Sequence, residues 1–251
     1  MQSRIIQFVT GTALAMLLAV VTACGTIQYR DVQGEFVDAV AADNAWAVSP
    51  LGGNASEGLY SSILVQLTDD YIAKLDDRLE PNAWLLRAVS EWRLGEFSNA
   101  RSSAKKGRDK LPDNQRGSRD GVMLAMLDGL IIDSDLLARY RQLSDVTLAD
   151  YQDPFSSDFD TALKALDNGF AQAGPATPPE VGWYYHYHRW RLIQNWRTVV
   201  NSIEDDGDRA TAKSDAEGKV GLKLRNAMDA ERNKIPEGHP LRELIKAEGG
   251  G

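Results

Sequence analysis

The chain has one cysteine and three histidines, and it has no long stretch in which apolar and polar residues alternate. A single cysteine excludes an intramolecular disulfide, and the lack of alternation argues against β-strands. Glycine-rich phosphate loops, the Gly-x-Ser-x-Gly turn and the His-Glu-x-x-His helix are all missing. We therefore expect a protein that is not an enzyme and has no cofactor.

The histidines offer one candidate metal pair, His186 and His188. Residues two apart on a helix point about 200° apart, so both side chains cannot reach one ion. Ligand pairs on helices use i, i+3 or i, i+4 spacing instead. The third histidine, His239, lies in a proline-rich stretch near the C-terminus. We expect no metal site and place the pair on a helix surface.

The charge balance is acidic, with 28 Lys and Arg against 36 Asp and Glu and a formal net charge of −8. An acidic body argues against nucleic-acid binding, and the hydrophobic content of 43% suits a sizeable core.

One stretch of this acidic chain is locally basic. We interpret it as a solvated helix face, with contact to anionic headgroups or peptidoglycan as the alternative. It contains Arg101, Lys105, Lys106, Arg108, Lys110, Arg116 and Arg119.

The N-terminus has one basic residue, Arg4, and then an apolar run over residues 5–21. The run is short for a spanning helix and is typical of a secretory signal. The sequence Val-Thr-Ala-Cys-Gly at residues 21–25 resembles a bacterial lipobox. The resemblance implies that residues 1–23 are a signal peptide and that Cys24 is diacylated and becomes the first mature residue. An ordinary cleaved signal with a chance cysteine is the alternative.

Acyl chains on Cys24 would hold the protein on a bilayer, because each buried methylene contributes about 0.8 kcal/mol. Gly25 stands where an Asp favours inner-membrane retention in enteric lipoproteins. The resemblance therefore implies the outer membrane, with the protein facing the periplasm. Residues 24–28 are the lipidated cysteine and a short tether, and residues 25–28 span roughly 14 Å at full extension. We therefore expect the body to lie near the membrane surface.

Residues 82–112 carry the strongest helical pattern in the chain. Ala88 lies midway along one helix, Gly95 interrupts it, and Pro112 ends a second helix. Residues on the second helix recur at steps of three and four, which places them on one face. They are Phe97, Ala100, Ala104 and Gly107. Two closely packed helices are therefore predicted.

This pattern resembles a tetratricopeptide repeat (TPR), whose period is about 34 residues. The matching positions are Ala88, Gly95, Phe97, Ala100, Ala104 and Pro112. Gly107 stands where the family usually has Ala, and Arg87 where it usually has Leu. The resemblance implies an all-α fold over residues 29–233, built as a TPR-like helical-repeat solenoid of antiparallel helix pairs with a C-terminal capping helix.

The same spacing of small and apolar residues recurs elsewhere in the chain. Residues 29–39 repeat it through Tyr29, Val32, Phe36 and Ala39, and residues 159–169 repeat it again. Gly129 and Ala138 lie one period of about 34 residues after Gly95 and Ala104, which predicts a degenerate second repeat.

Apolar periodicity predicts the remaining helices. Residues 183–203 fit either a helix pair with its turn at Gln194-Asn195 or one long helix, because no Gly or Pro marks a turn. The other predictions are a loop over 45–58, helices over 59–67, 69–79, 121–132 and 210–232, and a C-terminal tail over 234–251 with a short turn at residues 241–246.

Aromatic residues are concentrated in residues 183–196. We interpret this cluster as helix packing, with a partner or ligand site as the alternative, since Tyr and Trp anchor interfaces. In TPR proteins the first helix of each pair lines an inner groove. That resemblance implies groove-facing, partner-binding positions at Leu85, Val89, Trp92 and Arg93 and, in the later repeat, at Tyr184, His188 and Arg191.

Two functions follow as expectations. The first is a lipid-anchored, periplasm-facing TPR-like scaffold that binds another envelope protein or peptide in the groove of its repeats. The alternative is a ligand-binding accessory lipoprotein of a solute transporter, because the chain weakly resembles the helical-repeat lipoproteins of TRAP uptake systems. The apolar helix over residues 123–132 beside the aromatic helix over residues 183–196 could form the walls of a small-molecule cavity. An enclosed apolar cavity would favour the second function, and an open groove with exposed Trp or Tyr side chains would favour the first.

Overall fold

The computed structural model describes residues 28–44, 56–142, 156–202 and 222–248. All regular secondary structure in these ranges is helical, which confirms the predicted all-α fold. The helices are α1 (28–44), α2 (Ser56–Gln66), α3 (Asp69–Ile72), α4 (Glu80–Arg93), α5 (Phe97–Lys110), α6 (Arg119–Gln142), α7 (Ser156–Phe170), α8 (Pro179–Ser202), α9 (Leu222–Arg232) and α10 (Pro240–Ala247), with a short 3-10 helix at Asp113–Gln115. The signal peptide, Cys24 and residues 210–221 of the predicted last helix lie outside the described residues.

The turn between α4 and α5 is formed by Gly95, as predicted. Gly95 has a φ of 80°, a left-handed conformation that glycine adopts without steric cost. Its backbone N–H donates to the Trp92 carbonyl at 3.1 Å, and the N–H of Glu96 donates to the Glu91 carbonyl at 2.8 Å. These two bonds form a Schellman motif that ends α4, and α5 then packs against α4.

The helix expected over residues 69–79 is shorter in the structure. α3 ends at Ile72, and residues 73–79 form turns. The carboxylate of Asp76 accepts a hydrogen bond from the backbone N–H of Arg78 at 2.9 Å. Such local side-chain bonds compete with helical hydrogen bonding, and they are not visible in the apolar periodicity on which the prediction depended.

α6 is one uninterrupted helix, so Gly129 does not mark the turn of a second repeat. A Cβ atom added at Gly129 would lie 2.6 Å from the backbone nitrogen of Leu166 in α7. One added at Gly169 of α7 would lie 2.6 Å from the backbone nitrogen of Met126 in α6. Both glycines therefore permit close packing of the two helix backbones, and the spacing from Gly95 to Gly129 has no role in a turn.

α8 is a single helix of 24 residues, so of the two alternatives for residues 183–203 the long helix is correct. It packs against α6, α7, α9 and α10. Tyr185 joins the apolar core that α8 shares with α4, α5 and α6. Trp190 joins a second cluster with α9 and α10. α8 thus connects two parts of the core, and a third cluster lies between α1, α2 and α4.

Residues 240–247, expected to contain only a short turn, form helix α10. Its Leu244 and Ile245 are buried, and α10 packs on α8. The amide nitrogen of Gln194 in α8 donates to the carbonyl of Glu248 at 2.9 Å, which holds the end of α10 in place. Within the described ranges, no helix combines the length and the apolar character needed to cross a membrane.

Candidate functional site

Six of the seven predicted groove-facing residues meet around one pocket. It has a volume of about 280 Å³ and lies between α1, α2, α4, α8 and α10. Leu85 is buried in the core and does not line the pocket. The six that line it are Val89, Trp92, Arg93, Tyr184, His188 and Arg191.

α4 supplies one wall of this pocket through Trp92 and Arg93. The Trp92 indole N–H donates to the hydroxyl of Ser134 in α6 at 2.8 Å, which fixes the ring. The Arg93 guanidinium carbon lies 5.2 Å from the centroid of the Trp92 ring, within the range of a cation–π contact. Arg93 also forms an ion pair with Asp43 of α1 and a hydrogen bond with the hydroxyl of Tyr60 in α2.

α8 supplies the opposite wall. Tyr184, His188 and Arg191 lie on one face because steps of four and three residues return to the same side of a helix. The centroid of the His188 ring lies 4.2 Å from that of Tyr184, 5.0 Å from that of Tyr187 and 5.9 Å from that of Trp92. Three aromatic rings therefore enclose His188, whose exposed fraction is 6%.

Burial and nearby charges determine the protonation states of the titratable side chains that line this pocket. It lowers the pKa of His188 well below 6.5, and the positive charges of Arg191 and Arg93 lower it further. The imidazole is therefore neutral at neutral pH. Burial raises the pKa of the Tyr184 hydroxyl to about 12, so that it remains protonated. Burial also disfavours the charged Arg191, yet nearby acidic groups raise its pKa above the usual value. In order of effect these are Tyr187, Glu248, Asp133 and Asp43.

A small cavity of about 30 Å³ shares Trp92, His188 and Arg191 with the pocket and is also lined by Asp133 of α6. Asp133 Oδ2 accepts a hydrogen bond from the Asn195 amide at 2.9 Å, and its Oδ1 has no hydrogen-bond partner in the described part of the chain. Burial raises the pKa of Asp133 to about 6, although Arg191 and Asn195 act in the opposite direction.

The predicted basic stretch contributes to a second cavity, of about 370 Å³, before the start of α6. Its Arg108 lies 3.3 Å from Asp128 and donates to the Leu124 carbonyl at 2.9 Å. Its Arg116 lies 3.0 Å from Asp113. Four more residues of the stretch form ion pairs, so the solvated-face interpretation is favoured. These pairs are Arg101–Asp135, Lys105–Asp109, Lys106–Asp69 and Lys110–Glu80.

His186 and His188 face different neighbours. His186 Nδ1 lies 2.7 Å from Glu231 Oε2 on α9, whereas His188 faces the pocket. No group of three potential metal-ligating side chains occurs in the ranges that the structure describes.

The aromatic residues over 183–196 have two roles, since some pack in the core or against other rings and others line the pocket. Tyr185 and Trp190 lie in the core, Trp196 stacks on Phe159, Trp183 contacts His239, and Tyr184 and Tyr187 line the pocket.

Sequence analysis missed six residues from other segments that complete the pocket: Val40, Asp43, Asn44, Tyr60, Leu241 and Glu248. Asp43 lies in the last turn of α1, whose spacing pattern was recognised, but nothing local links it to Arg93. Glu248 was assigned to a tail, and its carboxylate accepts a hydrogen bond from the Tyr187 hydroxyl at 2.9 Å. All six are brought to the site by contacts between segments that are distant in the chain.

The chain matches no protein-family model, no curated protein and no solved structure. The function proposed next is therefore based on the sequence patterns and on the geometry of the pocket.

Proposed function

We propose that this chain is a lipid-anchored, TPR-like helical binding protein that faces the periplasm from the outer membrane. Its binding site would be the pocket between α4 and α8. The lipobox-like segment at residues 21–25 supports the anchor. The hairpin of α4 and α5, with its turn at Gly95, supports a TPR-like solenoid of antiparallel helix pairs.

One observation carries the choice of occupant: six of the predicted groove-facing residues line one pocket, and none of the six is exposed. Val89, Trp92 and His188 are buried, and Arg93, Tyr184 and Arg191 are half-buried. The volume of about 280 Å³ is close to the lower end of the range for small-molecule sites, about 300–1,000 Å³. This geometry favours a small ligand, and we therefore place the transporter-accessory function ahead of the protein scaffold.

The chemistry of the pocket supports binding over catalysis. His188 is neutral and could act as a base, but the pocket lining contains no Ser, Thr, Cys or Lys to serve as a nucleophile. Its two carboxylates are engaged, Asp43 with Arg93 and Glu248 with the Tyr187 hydroxyl. The polar groups of the lining are two arginines, these two carboxylates, three tyrosine hydroxyls, the Asn44 amide and the imidazole. Such groups orient a ligand by hydrogen bonds and charge.

A scaffold that holds another envelope protein is the second proposal. Val37 on α1 and Val65 on α2 are exposed to 65% and 78% and offer apolar surface to such a partner. In that case the pocket would receive a side chain of the partner.

Native mass spectrometry of the full-length protein, purified in detergent from its own cells, tests these proposals. We expect a bound small molecule that is lost in Trp92→Ala and Tyr184→Ala. Trp183→Ala is the matched control, because Trp183 lies on the same helix and does not line the pocket. A wild-type protein without a bound small molecule would contradict the first proposal. An envelope protein that copurifies instead, and is lost in Trp92→Ala, would favour the scaffold.

A further inference from the structure

One face of α8 lines the pocket with three polar side chains that make no hydrogen bond to any residue that the structure describes. They are Tyr184, His188 and Arg191. His188 is the most buried of them, with an exposed fraction of 6%. Buried polar groups without a hydrogen-bond partner are rare in folded proteins. This face therefore has unused hydrogen-bonding groups for a ligand in the pocket.

Donors outnumber acceptors on this face of α8. The guanidinium of Arg191 has N–H groups only, and the protonated hydroxyl of Tyr184 can donate. The neutral imidazole of His188 has one N–H and one nitrogen that accepts. A ligand that satisfies these side chains needs an oxygen with two lone pairs and, on a separate atom, an N–H for the imidazole nitrogen. A carboxamide group has this arrangement, whereas a hydroxyl group has one oxygen for both tasks.

The charges in and beside the pocket leave no cation for an anionic ligand. Arg93 forms an ion pair with Asp43. Burial disfavours the charged form of Arg191, but four acidic groups around it stabilise that form. They are Tyr187, Glu248, Asp133 and Asp43. An anion would therefore bring an uncompensated negative charge into a largely desolvated site, which is costly.

A cationic ligand is disfavoured as well. Burial lowers the pKa of His188, and the positive charges of Arg191 and Arg93 lower it further. An ammonium group beside His188 would meet the same two arginines. The carboxylate of Glu248 already accepts a hydrogen bond from the Tyr187 hydroxyl. The pocket is therefore best suited to a ligand without a formal charge.

We propose that the pocket binds a small uncharged carboxamide, whose amide group forms hydrogen bonds with the polar face of α8. This proposal rests on the proposed small-ligand function and specifies the ligand class. The amide oxygen would accept from Arg191 and Tyr184, and the amide N–H would donate to the His188 imidazole. The apolar body of the ligand would lie against Val89 and Leu241, which also line the pocket.

Four probes of similar shape test this proposal without any mutation. They are phenylacetamide, phenylacetate, 2-phenylethylammonium and 2-phenylethanol, titrated by calorimetry at pH 7 into the full-length protein in detergent. We expect the amide to bind at least about tenfold more tightly than either ion, because an unsatisfied buried charge costs at least that ratio. The alcohol should bind more weakly than the amide, since it forms fewer hydrogen bonds. Failure of the amide to bind at millimolar concentration, or an equal or higher affinity for another probe, would overturn the proposal.

Two variants test whether charge balance causes the preference. Glu248→Gln removes a negative charge and keeps an acceptor for the Tyr187 hydroxyl, so we expect the affinity of the acid relative to the amide to rise about tenfold. Arg191→Gln removes a positive charge, and the affinity of the ammonium probe relative to the amide should rise in the same way. An unchanged ratio in either variant would contradict the proposal.

Matched controls lie on the same two segments but outside the pocket lining. Glu243→Gln on α10 and Arg197→Gln on α8 should leave all affinity ratios as they are in the wild type. The ligand class and the small-ligand function fail separately. If an ion binds more tightly than the amide and Tyr184→Ala abolishes its binding, the carboxamide is wrong although the small-ligand function remains.

Discussion

Two titratable residues at the pocket have charged forms that burial makes less stable than they are in water. Burial raises the pKa of Asp133 to about 6 and lowers the pKa of His188 well below 6.5. Both shifts cost stability, because each residue loses hydration without gaining an ion-pair partner. Titratable groups with shifted pKa values beside a pocket are typical of functional sites. This supports the proposal that the residues here were selected for binding and not for stability.

The sign of the Asp133 shift gives a pH-dependent prediction. The folded state binds the proton more tightly than the unfolded chain, so stability falls as pH rises through the interval from 3.8 to about 6. Asp133→Asn removes this cost and can still accept a hydrogen bond from Asn195. We expect the variant to raise the free energy of unfolding by about 2–3 kcal/mol at pH 7 and to change it little at pH 4.

Urea denaturation at the two pH values measures this effect. Asp113→Asn is the control, because Asp113 lies on the surface in an exposed ion pair with Arg116, where such pairs contribute up to about 1 kcal/mol. A gain for Asp133→Asn that is equal at pH 4 and pH 7 would show that proton binding by Asp133 is not its cause.

At the scale of elements, a helix end or turn was predicted correctly where residues within the element itself mark it. The α4–α5 hairpin was predicted because Gly95 and Pro112 mark its turn and its end. α3 was predicted too long because the turns after Ile72, which include a hydrogen bond from the Arg78 N–H to the Asp76 carboxylate, are not visible in the apolar periodicity. Gly129 was misinterpreted because a glycine that permits close helix packing has the same sequence signature as one that forms a turn.

Helix packing at Gly129 gives the second prediction. Gly129→Ala places a Cβ against the backbone of α7, which cannot move away as a flexible side chain could. We expect the free energy of unfolding to fall by about 1–3 kcal/mol, measured by urea denaturation. Gly58→Ala on α2 is the matched control, since nothing lies within 4 Å of its added Cβ. That variant should gain up to about 1 kcal/mol from helix propensity. Equal effects at the two sites would contradict the close approach of α6 and α7.

The third prediction concerns the polar contacts that join α7, α8 and α9. Arg189 of α8 lies 2.9 Å from Asp167 of α7 and 2.8 Å from the buried Glu231 of α9. Arg189→Met removes both ion pairs and leaves Glu231 with His186 and Lys234 as partners among the described residues. We expect a loss of about 2–3 kcal/mol of unfolding free energy, below the full cost of an unpaired buried charge because those partners remain.

Lys164→Met is the matched control for this contact. It removes an exposed ion pair between Lys164 and Asp160, within one helix, and should change the unfolding free energy by less than about 0.5 kcal/mol. If the two variants were equally stable in thermal unfolding experiments, the contacts of Arg189 would not hold α7 and α9 to α8.

At the scale of the whole molecule, the pocket is assembled from the two ends of the described chain. α1 and α2 supply Asp43 and Tyr60, and α10 with its following residue supplies Leu241 and Glu248. The TPR resemblance selected the wall residues on α4 and α8. It could not select the six lining residues of α1, α2 and the C-terminal segment, because their position depends on how segments far apart in the chain pack together.

Membrane attachment gives the fourth prediction. Cys24→Ser should move the protein from the membrane fraction to the soluble periplasmic fraction, because the acyl chains on the sulfur would be lost. Immunoblotting of cell fractions measures this. No other thiol is affected, since Cys24 is the only cysteine. A variant that still sediments with the outer membrane would show that the anchor is not the lipid.

The central claim is that the pocket between α4 and α8 is the binding site, and photocrosslinking in intact cells tests it most directly. A benzophenone amino acid would replace Tyr184 in the pocket or, as the control, Trp183 outside it. After irradiation, intact-mass analysis reads the adducts. The account predicts a small-molecule adduct from position 184 that is absent from position 183. A protein-sized adduct at 184 alone would favour the scaffold over a small ligand, whereas the absence of any adduct at 184, or identical adducts from the two positions, would contradict the claim.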